Sequence, residues 1–170
     1  MSNFPDPPSS IIALAQEYQR RAYCPYSKFP VGAVLVGSND EVFGGCNVEN
    51  SSFSLTICSE RVAMHTSVAA GVREFSYLVL SSHGAVAPCG ACRQVLAEFA
   101  PNLKLFLISP DAPEIQQRYD LQELLPAAFS GSAIKTAPCS RLEVPRPMSR
   151  QDSLLFVLRA PIHTLTGHEV

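Results

Sequence analysis

Cys58-Ser59-Glu60-Arg61 and, thirty residues later, Pro88-Cys89-Gly90-Ala91-Cys92 decide how this chain is read. A zinc site that performs chemistry takes three protein ligands and keeps one position open. Cys58, Cys89 and Cys92 are three candidate thiol ligands. Glu60, two residues past the first, is a carboxylate that can carry protons without filling the open position. Cys58 lies near one expected helix start and Cys89 and Cys92 near another, and the free N–H groups and dipole of a helix N-terminus favour thiolate over thiol. Three thiolates on Zn²⁺ leave a net negative centre, which weakens the Lewis acid. Arg61 and Arg93, each adjacent to a site residue, are candidates to donate to the sulfurs.

Working outward, the spacing predicts an α/β domain. Ile11, Leu14, Ala15, Tyr18 and Ala22 recur at helical spacing after a cap at Ser9 or Ser10, with Pro25 as the stop. Residues 31–36 and 41–46 read as strands around a hairpin turn at Gly37-Ser38-Asn39-Asp40. A polar loop from Asn47 to Phe53 follows. A helix capped by Ser54 or Thr56 is expected to run to about Ala70, with Gly71 just past its end. Phe75 to Ser81 reads as a strand, Pro88 to Pro101 as a helix, Leu103 to Ile108 as a strand and Leu121 to Leu125 as a short helix. Strand–helix–strand–helix–strand implies parallel crossovers and helices on both sheet faces. Beyond Ser130 only Leu154 to Leu158 looks ordered, so the catalytic domain is expected over residues 1–130, with an extension over 131–170.

Composition narrows the function classes. The 170 residues are 46% hydrophobic and only 16% charged, which implies surface covered by other subunits. A net charge of −2 argues against nucleic acid as a partner, since that binding leans on excess Lys and Arg. There is no apolar run long enough to span a membrane and no leader-like N-terminus, so a cytoplasmic protein is expected. Six cysteines in a chain of this length suggest metal or redox chemistry rather than a disulfide scaffold.

Alternatives remain open from the residues alone. Cys89 and Cys92 could form a thioredoxin-like redox pair, though that gives Cys58 and Glu60 no role. Glu60 could merely complement a helix dipole. Were Cys46 a fourth ligand, the site would be closed, and the chain would be a zinc-stabilised binding module. Cys24, Cys46 and Cys139 otherwise read as small structural hydrophobes. His65 reads as a partly buried helix histidine and His83 as an exposed loop residue. Asn47 and Glu49 either bind sugar hydroxyls or cap backbone groups.

The motifs Tyr26-Ser27-Lys28-Phe29-Pro30-Val31-Gly32-Ala33, Asn47-Val48-Glu49-Asn50, Cys58-Ser59-Glu60-Arg61 and Pro88-Cys89-Gly90-Ala91-Cys92-Arg93-Gln94 resemble those of small, homotetrameric, zinc-dependent cytidine deaminases. The resemblance covers about Ser9 to Phe129. It implies a three-layer α/β/α sandwich around a mixed, five-stranded sheet. It also implies hydrolytic deamination of cytidine and deoxycytidine in pyrimidine salvage, a zinc-activated water attacking C4 while Glu60 moves protons. Cys58, Cys89 and Cys92 would hold one zinc per chain. Phe29 would stack on the pyrimidine and Asn47 and Glu49 would bind the ribose side. Ser51 and Ser59 would be further substrate contacts, and Phe53 and Phe129 would close sites shared between subunits. Ser59 and Phe53 stand where the family usually has Ala and Tyr. A deaminase for a cytosine-bearing antibiotic and a polynucleotide deaminase are the other enzyme readings; the retained Asn47 and Glu49 favour a plain ribose, and the acidic balance opposes a polynucleotide.

Overall fold

The computed structural model describes residues 4–131. Val31–Gly37 (β1) and Val42–Cys46 (β2) form the expected antiparallel hairpin, with Gly32 opposite Cys46 and Leu35 opposite Phe43. Asp40 makes the turn in a left-handed conformation (φ 65°) that its short polar side chain tolerates. Phe75–Ser82 (β3) lies antiparallel to β1, Lys104–Ser109 (β4) parallel to β3, and Ala112–Asp120 (β5) antiparallel to β4. The sheet is mixed and five-stranded, in the order β2-β1-β3-β4-β5.

Because β2 and β3 both run opposite to β1, they are parallel to each other. Ser59–Ala69 (α2) is the crossover between them, and Gly90–Phe99 (α3) is the crossover from β3 to β4. Both crossovers step the same way across the sheet, so a common right-handed connection puts both helices on one face. Ser9–Arg20 (α1) covers the other.

Strand alternation supplies both cores. Leu35, Leu78, Leu80, Leu105 and Leu107 point to Ala63, Met64 and Leu96, while Val34, Val36, Val79, Phe106 and Ile108 point to Ala15. The α1 layer lies close to the sheet. A Cβ on Gly32 would fall 2.1 Å from Ala15 O, and one on Gly44 would meet the Tyr18 ring at 1.7 Å. At Gly32 the obstacle is backbone, so only glycine fits, while at Gly44 the Tyr18 ring would have to move.

Several expectations are corrected. Pro8, not Ser9 or Ser10, is the N-cap of α1, and the helix ends at Arg20, leaving Ala22 outside it. Cys58, not Ser54 or Thr56, caps α2, because Phe53–Leu55 forms a separate 3-10 turn. Cys89 caps α3, one residue after Pro88. Residues 112–120 gave no strand signal; they are mostly polar because β5 is an edge strand, exposed along much of its length. Gly71, with φ 98°, follows α2 as expected. Cys139 and Leu154 to Leu158 lie outside the described residues.

Candidate active site and metal centre

The sheet topology brings the motifs together. α2 follows the C-terminal end of β2 and α3 follows that of β3; since these strands are parallel, both helices begin at the same end of the sheet. A small backbone ladder then ties down the loop after β2. Tyr23 pairs with Val48, and Val48 pairs with Ile57 through two bonds of 3.0 Å. That ladder sets Asn47 and Glu49 beside the residue that precedes Cys58.

Cys58 and Cys89 each hold the extended N-cap conformation, yet neither sulfur caps its helix. With Cys92 on the first turn of α3, the three sulfurs all lie within 4.8 Å of one another, and Cys89 Sγ is 3.5 Å from Cys92 Sγ. Sulfurs at about 2.3 Å from a tetrahedral zinc stand about 3.8 Å apart, so the cluster has the right size for the ion. Cys92 is buried, Cys58 half-buried and Cys89 exposed, so solvent reaches the cluster on the Cys89 side. Hydrogen bonding from Cys92, reinforced by Arg61 and Cys89, pulls the Cys58 thiol down to about 6. Cys92 is correspondingly pushed up, because its proton is shared with Cys58 and it is buried. A divalent cation held by the three sulfurs would take the place of those shared protons.

Arg61 answers the expected surplus of negative charge. Burial opposes its charge, but contact with Cys58 and then Cys92 outweighs that and raises its pKa. Its Nη2 donates to Thr56 O at 3.1 Å, and its buried Nε has no nitrogen or oxygen partner. A cation held beside thiols, with one buried N–H to spare, fits a thiolate-bound metal. Arg93 does something else: it donates to Pro88 O (2.7 Å) and Leu124 O (3.0 Å), not to sulfur. Cys46 stands outside the cluster, with its thiol directed to Arg21 O at 3.6 Å and pushed up by burial. Among the described residues there is therefore no fourth cysteine to close the site.

Glu60 sits on the first turn of α2 and is only 5% exposed. Its charge raises both Cys58 and Cys92, which places the carboxylate next to the sulfurs. Ser59, fully buried, donates its hydroxyl to Glu60 Oε2 at 3.0 Å. The sequence offered no sign of that contact, since adjacent residues on a helix do not normally face each other.

The polar loop residues have structural partners as well as spare capacity. Asn47 Oδ1 accepts from Val31 N (2.8 Å) and its Nδ2 donates to Phe29 O (3.0 Å). Glu49 Oε2 accepts from Tyr26 N (2.9 Å) and Ser27 N (3.2 Å). Hydrogen bonding by Ser27, above all through its side chain, holds the Glu49 carboxyl below its ordinary range. An amide NH₂ has a second hydrogen, and a carboxylate accepts up to about four bonds, so both still have capacity for a ligand hydroxyl.

Phe29 is half-buried and Ser51 exposed. Phe53 is 72% exposed, edge-on to Tyr26 with ring centroids 5.4 Å apart, and Phe129 is 64% exposed. His65 is exposed on α2, contrary to the expected partial burial, and His83 lies in a loop 3.3 Å from Asp111. The described residues contain no helix long and apolar enough to cross a membrane.

Comparison with known proteins agrees with this geometry. The family described as the cytidine and deoxycytidylate deaminase zinc-binding region matches residues 7–107. A cytidine deaminase of Sporosarcina psychrophila is 43% identical over 122 residues, covering 71% of this chain and 89% of that protein. A probable cytidine deaminase of Dictyostelium discoideum is 41% identical, covering 70% and 81%. The crystal structure of cytidine deaminase from Burkholderia pseudomallei superposes with a TM-score of 0.65 at 41% identity, covering 71% of this chain and 97% of that one. That from Mycobacterium tuberculosis gives 0.61 at 35%, covering 71% and 94%. With its three-cysteine cluster at two helix starts and this likeness along most of the relatives' length, the chain belongs to the cytidine and deoxycytidylate deaminase family of zinc-binding hydrolases.

Proposed function

We propose that this protein hydrolyses free cytidine and deoxycytidine to uridine and deoxyuridine, releasing ammonia, as a cytoplasmic homotetramer serving pyrimidine salvage. The catalytic domain is residues 1–130. The observation that carries the reading is the buried Glu60 carboxylate beside three thiols at two helix N-termini. Zinc held by Cys58, Cys89 and Cys92 supplies a Lewis acid that makes water nucleophilic near neutral pH. Glu60 takes a proton from the attacking water and delivers it to N3 of the pyrimidine. A second delivery goes to the amine on C4, which leaves as ammonia as the C4 carbonyl forms. Burial suits Glu60 to both transfers, because bulk water does not compete for its protons. Arg61 offsets the surplus charge of the thiolates.

Phe29 stacks on the base, and Asn47 and Glu49 use their remaining hydrogen-bond capacity on the ribose. A site built this way rejects ligands that leave its polar groups unpaired. Ser51 and Ser59 contribute further contacts to the substrate. Tyr23, Tyr26, Phe53, Leu55 and Phe129 are large exposed apolar side chains on the loops and the C-terminal segment, which supports cover by neighbouring chains, with Phe53 and Phe129 closing shared sites. The test is zinc content per chain together with the ultraviolet loss of cytidine, wild type against Glu60→Gln. A zinc-loaded wild type that leaves cytidine intact overturns the activity. Light scattering that shows a monomeric, fully active enzyme overturns the shared site.

A further inference from the structure

We infer that Gln94 is a positioning residue: its side-chain amide sets where Phe129 is presented, and through that the affinity for substrate. The inference rests on the reading of Phe129 as an aromatic that closes a nucleoside site.

Gln94 lies two residues past Cys92 on α3. Its Nε2 donates to Phe129 O at 2.8 Å, and its Oε1 accepts from Phe129 N at 3.3 Å. One side chain thus satisfies both backbone groups of one residue, as a neighbouring strand would. Among the side chains, only an amide offers a donor and an acceptor in this fork. Asn is one carbon shorter. Glu keeps the acceptor but turns a negative oxygen toward the Phe129 carbonyl.

Arg93, next door, holds Leu124 O at 3.0 Å while bracing Pro88 O. The two residues that follow Cys92 therefore hold the chain from 124 to 129 against α3. Past Leu124 that chain has no helix or strand of its own. The Phe129 ring is 64% exposed, so the backbone is held while the ring is offered outward.

Both Gln94 bonds are solvent-exposed, which makes them weak contributors to global stability. Their effect is local. They fix a backbone that would otherwise have to be ordered each time substrate binds, at a cost in affinity.

The experiment compares zinc-loaded full-length wild type, Gln94→Ala, Gln94→Glu, Phe129→Ala and the Gln94→Ala/Phe129→Ala double variant. It reads cytidine kinetics and amide hydrogen exchange at Phe129. Loss of the clamp should raise KM by about fivefold, the scale of reordering a short segment on binding. Zinc content should stay unchanged and kcat should stay within about twofold, as for an interaction acting on binding alone. Phe129 amide exchange should accelerate in Gln94→Ala, which removes its acceptor. The double variant should match Phe129→Ala, because the clamp acts only through that residue. Unchanged exchange in Gln94→Ala overturns the clamp itself. Faster exchange with unchanged KM, where Phe129→Ala does raise KM, overturns its role in affinity. If Phe129→Ala leaves KM unchanged, the site-closing reading of Phe129 fails and the affinity role falls with it; the exchange data then separate that failure from failure of the clamp.

Discussion

The face of the sheet under α1 and the face under α2 and α3 bury the same kinds of side chain, yet only the second carries chemistry. Under α1 the buried polar groups include Gln19 and Ser81, bonded to each other, and Gln19 also donates to Pro30 O, which seals the join between helix and sheet. Under α2 and α3 lie Ser59, Glu60 and Cys92, groups that are costly to bury without partners or a metal. The difference follows from helix direction. α1 leads into β1, so its C-terminal end lies where α2 and α3 begin. A helix C-terminus favours cations and an N-terminus favours anions. Thiols and a carboxylate therefore collect on the face that supplies two N-termini, although both faces have an apolar core.

The sharpest way to break this contrast is Glu60→Gln. It keeps the helix and the cluster but removes the proton carrier, and turnover should fall by at least about 10² to 10⁴ with zinc retained. Near-normal deamination by that variant would end the assignment.

One substitution on each face comes next. Cys92→Ala should lose zinc and lower the unfolding midpoint, since ligation contributes folding free energy. Gly32→Ala should also destabilise, by about 1–3 kcal/mol, because its Cβ meets the Ala15 backbone and α1 must shift. Its zinc per folded chain should stay at the wild-type level, as should that of Cys46→Ala. Metal analysis decides, and zinc loss in Gly32→Ala would mean the faces are not separable.

Ser59→Ala removes the donor to Glu60 Oε2. A single bond to a charged group predicts a fall in kcat of about tenfold, with zinc unchanged. An unchanged kcat would show that other contacts hold Glu60.

The smallest effect concerns Glu49. Its folded pKa is depressed, so its contribution to stability is present above the ordinary carboxylate value of about 4.3 and is lost as pH falls through the lower folded value. Denaturation midpoints of wild type and Glu49→Gln should differ near neutrality and converge in acid. A constant gap would show that the loop is not held by the Glu49 charge.

Much of this was legible because it depends on local chemistry. Strand runs such as Val31 to Val36 and Phe75 to Ser81 are apolar on both faces, and the cysteine spacing marks a metal whatever the fold around it. β5 was not legible, because an edge strand needs no apolar face. The caps of α2 and α3 were misplaced because a cysteine at an N-cap carries no capping signal. Arg61 and Arg93 looked alike as arginines beside site residues; only the fold turns one to the sulfurs and the other to Leu124.

By itself the sequence determined the family and pointed to three candidate thiol ligands with a carboxylate beside them, since those depend on residue type at fixed spacing. Tertiary structure decided which residues meet. The antiparallel pairing of both β2 and β3 with β1 leaves those two strands parallel and puts the starts of α2 and α3 at one end of the sheet. The close fit of Gly32 and Gly44 sets α1 on the opposite face. The reach of Gln94 to Phe129 joins residues 35 positions apart, a contact that local pattern does not encode. Convergence of this kind depends on strand order and direction, which are global properties of the packed chain.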